Sequence, residues 1–239
     1  MATSLTHIGF VNELKKSNRR LFSNLDLNYV YSGALFPDYY GFYKVQLKKN
    51  YEIESIIKNK NGIVFGKNML VLSKTKEERS FAIGFITHSV LDKHFHKYLK
   101  KNNTTIEEHL MLEFFYDCKF KNLKVPIVLY PGDIIHKTLD KYYVTKIKNR
   151  KTDITSFKLG VYYLFLTQIQ NQIINNKYVN SKKSYIDIVA KFFYKGKFNL
   201  EKLLIPDLQF KKKHIKNLEK EYAASIKECN TIFKKIKYQ

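Results

Sequence analysis

Histidines and carboxylates recur at helical intervals between residues 88 and 117. The first group consists of His88, Asp92 and His96, and the second consists of His109, Glu113 and Asp117. Residues four apart lie on the same face of an α-helix with Cβ atoms about 5–6 Å apart, so two such side chains can reach one ion. The pattern therefore predicts two helices that each present metal ligands on one face.

The neighbours of these residues predict that the ligand-bearing faces are buried. His88 lies among Ile86, Val90 and Leu91, and three apolar residues follow His109. A buried carboxylate is costly unless it is paired, hydrogen-bonded or bound to a cation, and metal coordination meets all three needs. Nitrogen and carboxylate ligands without cysteine suit Zn²⁺ best, with Mn²⁺ or Fe²⁺ as alternatives. A ferritin-like di-iron bundle is less suitable, because it requires Glu-x-x-His pairs that these segments lack.

Apolar periodicity along the rest of the chain predicts an all-α fold. Helices are expected over 7–20, 77–100, 104–120, 134–146, 153–176, 184–194 and 208–238. Residues 25–35 are predicted to be helical up to a turn around Pro37, because proline disfavours helix at the preceding residue. The stretch 44–73 is interpreted as a short helix followed by an extended loop. Since no repeat or linker is visible, we expect one multi-helix domain over 1–239, in which 1–121 carries the metal site and 122–239 completes the bundle.

Composition restricts the setting and the partners. A formal net charge of +22 would attract phosphate groups on nucleic acid, anionic lipid or a phosphorylated substrate, although lysines spread along the whole chain also suit an AT-rich genome. Two distant cysteines are too few for a disulfide framework or a cysteine zinc site. No signal peptide and no transmembrane segment of about 20 apolar residues is visible, so we expect a cytoplasmic protein.

The ligand-rich segments resemble a known family. The sequence FITHSVLDKHFHKY over 85–98, followed by His109, Glu113 and Asp117, is similar to the zinc-dependent phospholipase C family, especially its signal-less bacterial members. Two earlier pieces follow the family's order, namely His7 on the first helix and the sequence GALFPD that ends at Asp38. The resemblance covers about the first half of the chain. It implies an all-α domain that holds two to three Zn²⁺ ions in a cleft and hydrolyses a phosphate ester, with phospholipid as the substrate class.

The resemblance also implies a role for each matching residue. Asp38, His88 and Asp92 would hold one ion, and Asp92 would bridge to a second ion held by His7 and the N-terminal amine. That amine would belong to Ala2 if Met1 is removed. The third ion would be held by His96, His109 and Glu113. Asp117 is interpreted as a residue that orients a ligand, and Asp38 as the group that orients or deprotonates the attacking water.

One departure from the family leaves catalysis open. The family has a further histidine between the Pro-Asp turn and the central helix, and this chain has none between Asp38 and His88. Glu52 or Glu54 could substitute for it, or the chain could be an inactive descendant. We favour an enzyme, a zinc-dependent phospholipase C-like phosphoric diester hydrolase, and the related fungal single-strand nuclease type is a close variant.

The alternative is a non-catalytic basic helical protein with a degenerate metal site. It would bind nucleic acid or an anionic membrane through the lysines of the C-terminal helix, residues 211, 212, 213, 216 and 220. A solvated helix face would explain the same lysines. His94 is expected to face solvent or the next helix rather than a metal, because it lies two residues from Asp92.

Overall fold

The computed structural model describes residues 4–47, 62–102, 134–143 and 208–236, together with single positions and short pieces between 112 and 131. These ranges contain helices and no strand, which confirms the predicted all-α class. The α-helices are α1 Ser4–Ser17, α2 Arg19–Ser23, α3 Leu27–Leu47, α4 Gly62–Leu72, α5 Lys76–Lys101, α6 Ile134–Tyr143 and α7 Leu208–Lys235, and one 3₁₀ turn covers Cys118–Phe120. The division of the chain into a single domain over 1–239 stays a prediction.

Helix α5 is the central helix, as predicted. It begins at a capping box. The Thr75 side chain accepts a hydrogen bond from the backbone N–H of Glu78, and the Glu78 side chain accepts one from the backbone N–H of Thr75. Asn102 caps the other end. Helices α1, α3, α4 and α7 all contact α5, which explains why α5 carries buried residues around most of its circumference.

The turn predicted around Pro37 is wrong, because α3 runs through Pro37 without interruption. Proline cannot donate a backbone hydrogen bond to the carbonyl four residues earlier, which belongs to Gly33. Helix α3 nevertheless continues because it packs along α5, and tertiary packing overrides local propensity. Asp38 therefore lies on a helix rather than in a turn.

Two other helix boundaries differ from the prediction. Residues 62–72, expected as part of an extended loop, form α4, which packs Phe65 and Met69 into an apolar cluster with Phe85 of α5. The helix predicted over 7–20 is interrupted at Asn18, between α1 and α2. The helices predicted over 153–176 and 184–194, and most of 104–120, lie outside the described residues.

Two glycines allow the backbones of α3 and α5 to touch. A Cβ atom on Gly84 would overlap the carbonyl oxygen of Val30, and a Cβ atom on Gly33 would overlap that of Phe81. Because backbone atoms cannot rotate away, any side chain at either position would force the helices apart. The crossing lies one helical turn from His88, so it also places α3 beside that histidine.

We expect Gly84→Ala to lower the free energy of unfolding by about 1–3 kcal/mol, the usual cost of overpacking. Urea denaturation followed by circular dichroism would measure this loss. Gly66→Ala is the matched comparison and should cost less, since a Cβ atom there would overlap a side-chain atom of Ile86 and not a backbone atom. Equal stability of the two variants would contradict this account of the crossing.

Helix α7 closes the bundle against α5 and α1. Its inner face buries Leu218, Tyr222, Cys229 and Phe233. Across the described part of the chain, no helix combines the length and the apolar character that a bilayer crossing requires.

Candidate metal centre

Four of the predicted ligands converge in the protein interior, although they lie far apart in the sequence. His7 comes from α1, Asp38 from α3, and His88 and Asp92 from consecutive turns of α5. Their exposed fractions are 1% for His7, 4% for Asp38, 2% for His88 and 9% for Asp92. His88 and Asp92 are therefore buried, as expected, and His7 and Asp38 are buried as well.

The imidazole rings face the carboxylates through their Nε2 atoms. The Nε2 atom of His7 lies 3.6 Å from Oδ1 of Asp92 and 3.6 Å from Oδ2 of Asp38. The Nε2 atom of His88 lies 3.3 Å from Oδ2 of Asp92 and 3.9 Å from Oδ1 of Asp38. One ligand atom each from His7, His88 and Asp92 can be chosen so that all three lie within 4.8 Å of one another.

This spacing suits a cation better than direct hydrogen bonds. All four separations exceed the usual N–H···O range of about 2.7–3.2 Å. Zinc bonds of about 2.0–2.1 Å would place neighbouring ligands of a tetrahedron roughly 3.3–3.4 Å apart. Both ring nitrogens of His7 and Oδ1 of Asp38 are buried without a hydrogen-bond partner in the described part of the chain. The residues present therefore fit a bound zinc ion.

A backbone hydrogen bond fixes the orientation of His88. Its Nδ1 donates to the carbonyl oxygen of Ala34 on α3 over 2.7 Å, which leaves Nε2 directed at the carboxylates. Metal-binding histidines commonly use their second nitrogen in this way. The ring of His7 stacks on that of His88, with 4.0 Å between centroids and 15° between planes. The contact with Ala34 has no signal in the sequence, because any residue could supply the carbonyl.

The electrostatics of the group favour metal-binding protonation states for His7 and Asp92. Burial, and then the neighbouring His88, lowers the pKa of His7. Burial acts to raise the pKa of Asp92, but His88, His7 and His96 outweigh it and the pKa falls. A neutral imidazole and an ionised carboxylate are the forms that bind a metal ion.

The pKa of His88 shifts in the opposite direction. Burial acts to lower it, but Asp92 and Asp38 outweigh burial and the pKa rises. Without metal, His88 therefore holds its proton to a higher pH than a free histidine does, and an arriving ion must displace that proton.

We expect zinc affinity to increase with pH as His88 loses its proton, and to fall when the pH drops below the His88 pKa. Isothermal titration calorimetry in buffers of different ionisation enthalpy would count the protons released per ion. Near pH 6.5 the release from His88 should exceed that of a histidine with the ordinary pKa, and it should diminish as the pH rises through the pKa of His88. Release that is independent of pH would contradict the raised pKa.

The remaining predicted ligands are less fully described. The Nε2 atom of His96 lies 3.5 Å from Oδ2 of Asp92, and its side chain is 45% exposed, so His96 stands at the solvent edge of the group. His109, Glu113, Asp117, Glu52, Glu54 and the N-terminal amine lie outside the described residues. The third ion, and the division of His7 and His88 between two ions, stay predictions.

His94 faces away from the metal group, as predicted, but its partner is α7 and not solvent or the helix that follows it in the sequence. Its two ring nitrogens contact carboxylates of α7, with Nδ1 3.0 Å from Glu221 and Nε2 2.8 Å from Glu228. The sequence analysis did not anticipate these partners. A usable signal was present, since Glu221 and Glu228 are seven residues apart and therefore share one face of a helix.

The comparisons with known proteins agree with this arrangement. A family model described as zinc dependent phospholipase C matches residues 6–164. The match includes every side chain predicted as a ligand, it leaves out the N-terminal amine, and it ends before α7 begins. Searches of curated proteins and of solved structures found no match.

Proposed function

The chain belongs to the zinc-dependent phospholipase C family, and from this premise we propose that it hydrolyses phosphodiesters, with a phospholipid as its substrate. The observation that supports this most strongly is the buried group of His7, His88 and Asp92, whose ligand atoms are spaced for a cation. Family membership and the donor set thus favour the same chemistry.

Each described residue has a distinct task in the proposed site. His7, His88 and Asp92 would hold zinc, which when bound lowers the pKa of a coordinated water toward about 7 and neutralises phosphate oxygens. The hydrogen bond to the Ala34 carbonyl keeps Nε2 of His88 directed at the position of the ion. Asp38 would orient the attacking water and accept its proton at Oδ1, which has no hydrogen-bond partner among the described residues.

The exposed side of the site lies at His96. Asp38, His7 and His88 are almost fully buried, whereas the side chain of His96 is 45% exposed. Substrate would therefore approach along the side of α5 that bears His96. Burial of the other groups excludes solvent, so the charge of a bound zinc ion would be poorly screened there and would attract a phosphate more strongly.

A comparison of three substrates would test the proposal: a phospholipid, a soluble phosphodiester and a single-stranded oligonucleotide. The purified protein should hydrolyse the phospholipid, should lose activity after chelation, and should regain it when zinc is restored. His88→Ala and His109→Ala should both abolish turnover. Preference for the oligonucleotide would instead favour the nuclease variant.

The absent histidine between Asp38 and His88 favours a second candidate, a non-catalytic basic protein. Lys216 and Lys220 are exposed on α7, and the side chains of lysines 211–213 lie outside the described residues. This candidate predicts tight, steeply salt-dependent binding to a polyanion without turnover. Zinc-dependent turnover of any of the three substrates would exclude it.

A further inference from the structure

All three glutamates of α7 contact basic side chains of other elements. Glu219 pairs with Lys119, next to Phe120 in the 3₁₀ turn. Glu221 contacts His94 of α5, and Glu228 contacts both His94 and Lys93. Helix α7 contains no other acidic residue, so each of its carboxylates contacts another element of the protein.

The contacts with His94 hold its ring at both ends. Oε2 of Glu221 lies 3.0 Å from Nδ1, and Oε2 of Glu228 lies 2.8 Å from Nε2, both within hydrogen-bond range. The side chain of His94 is only 17% exposed. We call His94, Glu221 and Glu228 the α7 clamp.

The α7 clamp acts on the part of α5 that carries the metal group. His94 lies between Asp92 and His96 in the sequence, and at about 100° per residue its side chain leaves α5 roughly 160° away from that of Asp92. On a different face, His88 is tied to Ala34 of α3. These two attachments oppose rotation of α5 about its axis. A side-chain tip that lies about 6 Å from the helix axis would move by roughly 2 Å if α5 rotated by about 20°. This displacement is comparable with the length of a zinc–ligand bond.

We propose that the α7 clamp is a positioning device that sets the rotation of α5 and thereby holds Asp92 and His96 in register with His7 and Asp38. This inference rests on the proposed zinc site. It assigns a role in the metal chemistry to α7, which lies beyond the part of the chain that matches the family model. Glu221 and Glu228 are positioning residues, since they act through His94.

The test is the zinc affinity of the full-length double variant Glu221→Gln/Glu228→Gln, measured by competition with a chromogenic chelator. We expect a loss of roughly 10-fold or more, the range seen when residues that orient metal ligands are replaced. Glu219→Gln is the control, because it removes an ion pair between α7 and the 3₁₀ turn that does not involve α5. The control should retain wild-type affinity.

A spectroscopic measurement separates positioning from general stability. In protein loaded with Co²⁺ in place of zinc, the visible absorption bands should shift in the double variant and stay unchanged in Glu219→Gln. If the double variant does not fold, Glu228→Gln alone should give the same shift at smaller amplitude.

The possible outcomes distinguish the inference from the proposed function. The positioning role would be overturned if the clamp variants kept the wild-type zinc affinity and spectrum. It would also be overturned if the clamp and control variants lost zinc affinity equally. Neither result would contradict the zinc site itself. Absence of zinc binding by the wild-type protein would overturn both.

Discussion

Asp92→Asn is expected to lose zinc and phosphodiester hydrolysis together. The Asp92 carboxylate lies 3.3–3.6 Å from the Nε2 atoms of His7, His88 and His96, so it is the residue that joins every described histidine of the site. Asparagine has nearly the same shape but lacks the negative charge. We expect zinc affinity to fall by more than the roughly 10–100-fold that replacement of an orienting partner costs.

Zinc analysis of the purified variant by plasma mass spectrometry, together with a hydrolysis assay, would measure this effect. Asp140→Asn is the control, because Asp140 is an exposed aspartate of α6 and takes no part in the site. Wild-type zinc content and activity in Asp92→Asn would show that the metal lies elsewhere.

Asp38→Asn is expected to separate metal binding from turnover. Asp38 faces both imidazole rings, at 3.6 Å from His7 and 3.9 Å from His88, but it lies outside the compact group of His7, His88 and Asp92. If Asp38 acts on the attacking water, kcat should fall by about 10²–10⁴-fold, the usual contribution of a general base. Zinc bound to the other three residues should remain.

The same variant discriminates between two roles for Asp38. Its zinc content should be measured alongside kcat on a soluble phosphodiester, so that access to a lipid surface does not affect the result. Loss of zinc in parallel with activity would identify Asp38 as a ligand, which the family resemblance also implies, and would contradict a role confined to the water.

Local sequence patterns were sufficient where one helix carries the whole signal. Helix α5 has apolar residues around most of its surface and the i, i+4 pair of His88 and Asp92, and these two patterns led to its prediction. Its capping box at Thr75 is an equally local signal that the prediction did not use. Each of these depends on neighbours within a few turns, and each is present in the structure. The family resemblance added His7 and Asp38, which no local pattern connects to α5.

Long-range packing explains what the sequence analysis missed. The prediction at Pro37 failed because local propensity disfavours helix there, whereas the contact through Gly33 and Gly84 stabilises α3 along α5. The bond from His88 to the Ala34 carbonyl depends on that same crossing. The α7 clamp depends on residues more than 120 positions apart.

The most direct test of the zinc site is the metal content of the purified full-length protein, compared with that of His7→Ala and His88→Ala. The account predicts at least about one zinc ion per wild-type chain, removed by a chelator and restored by added zinc, and a clear deficit in both variants. A wild-type protein that is folded yet carries no zinc and binds none when it is supplied would contradict the account.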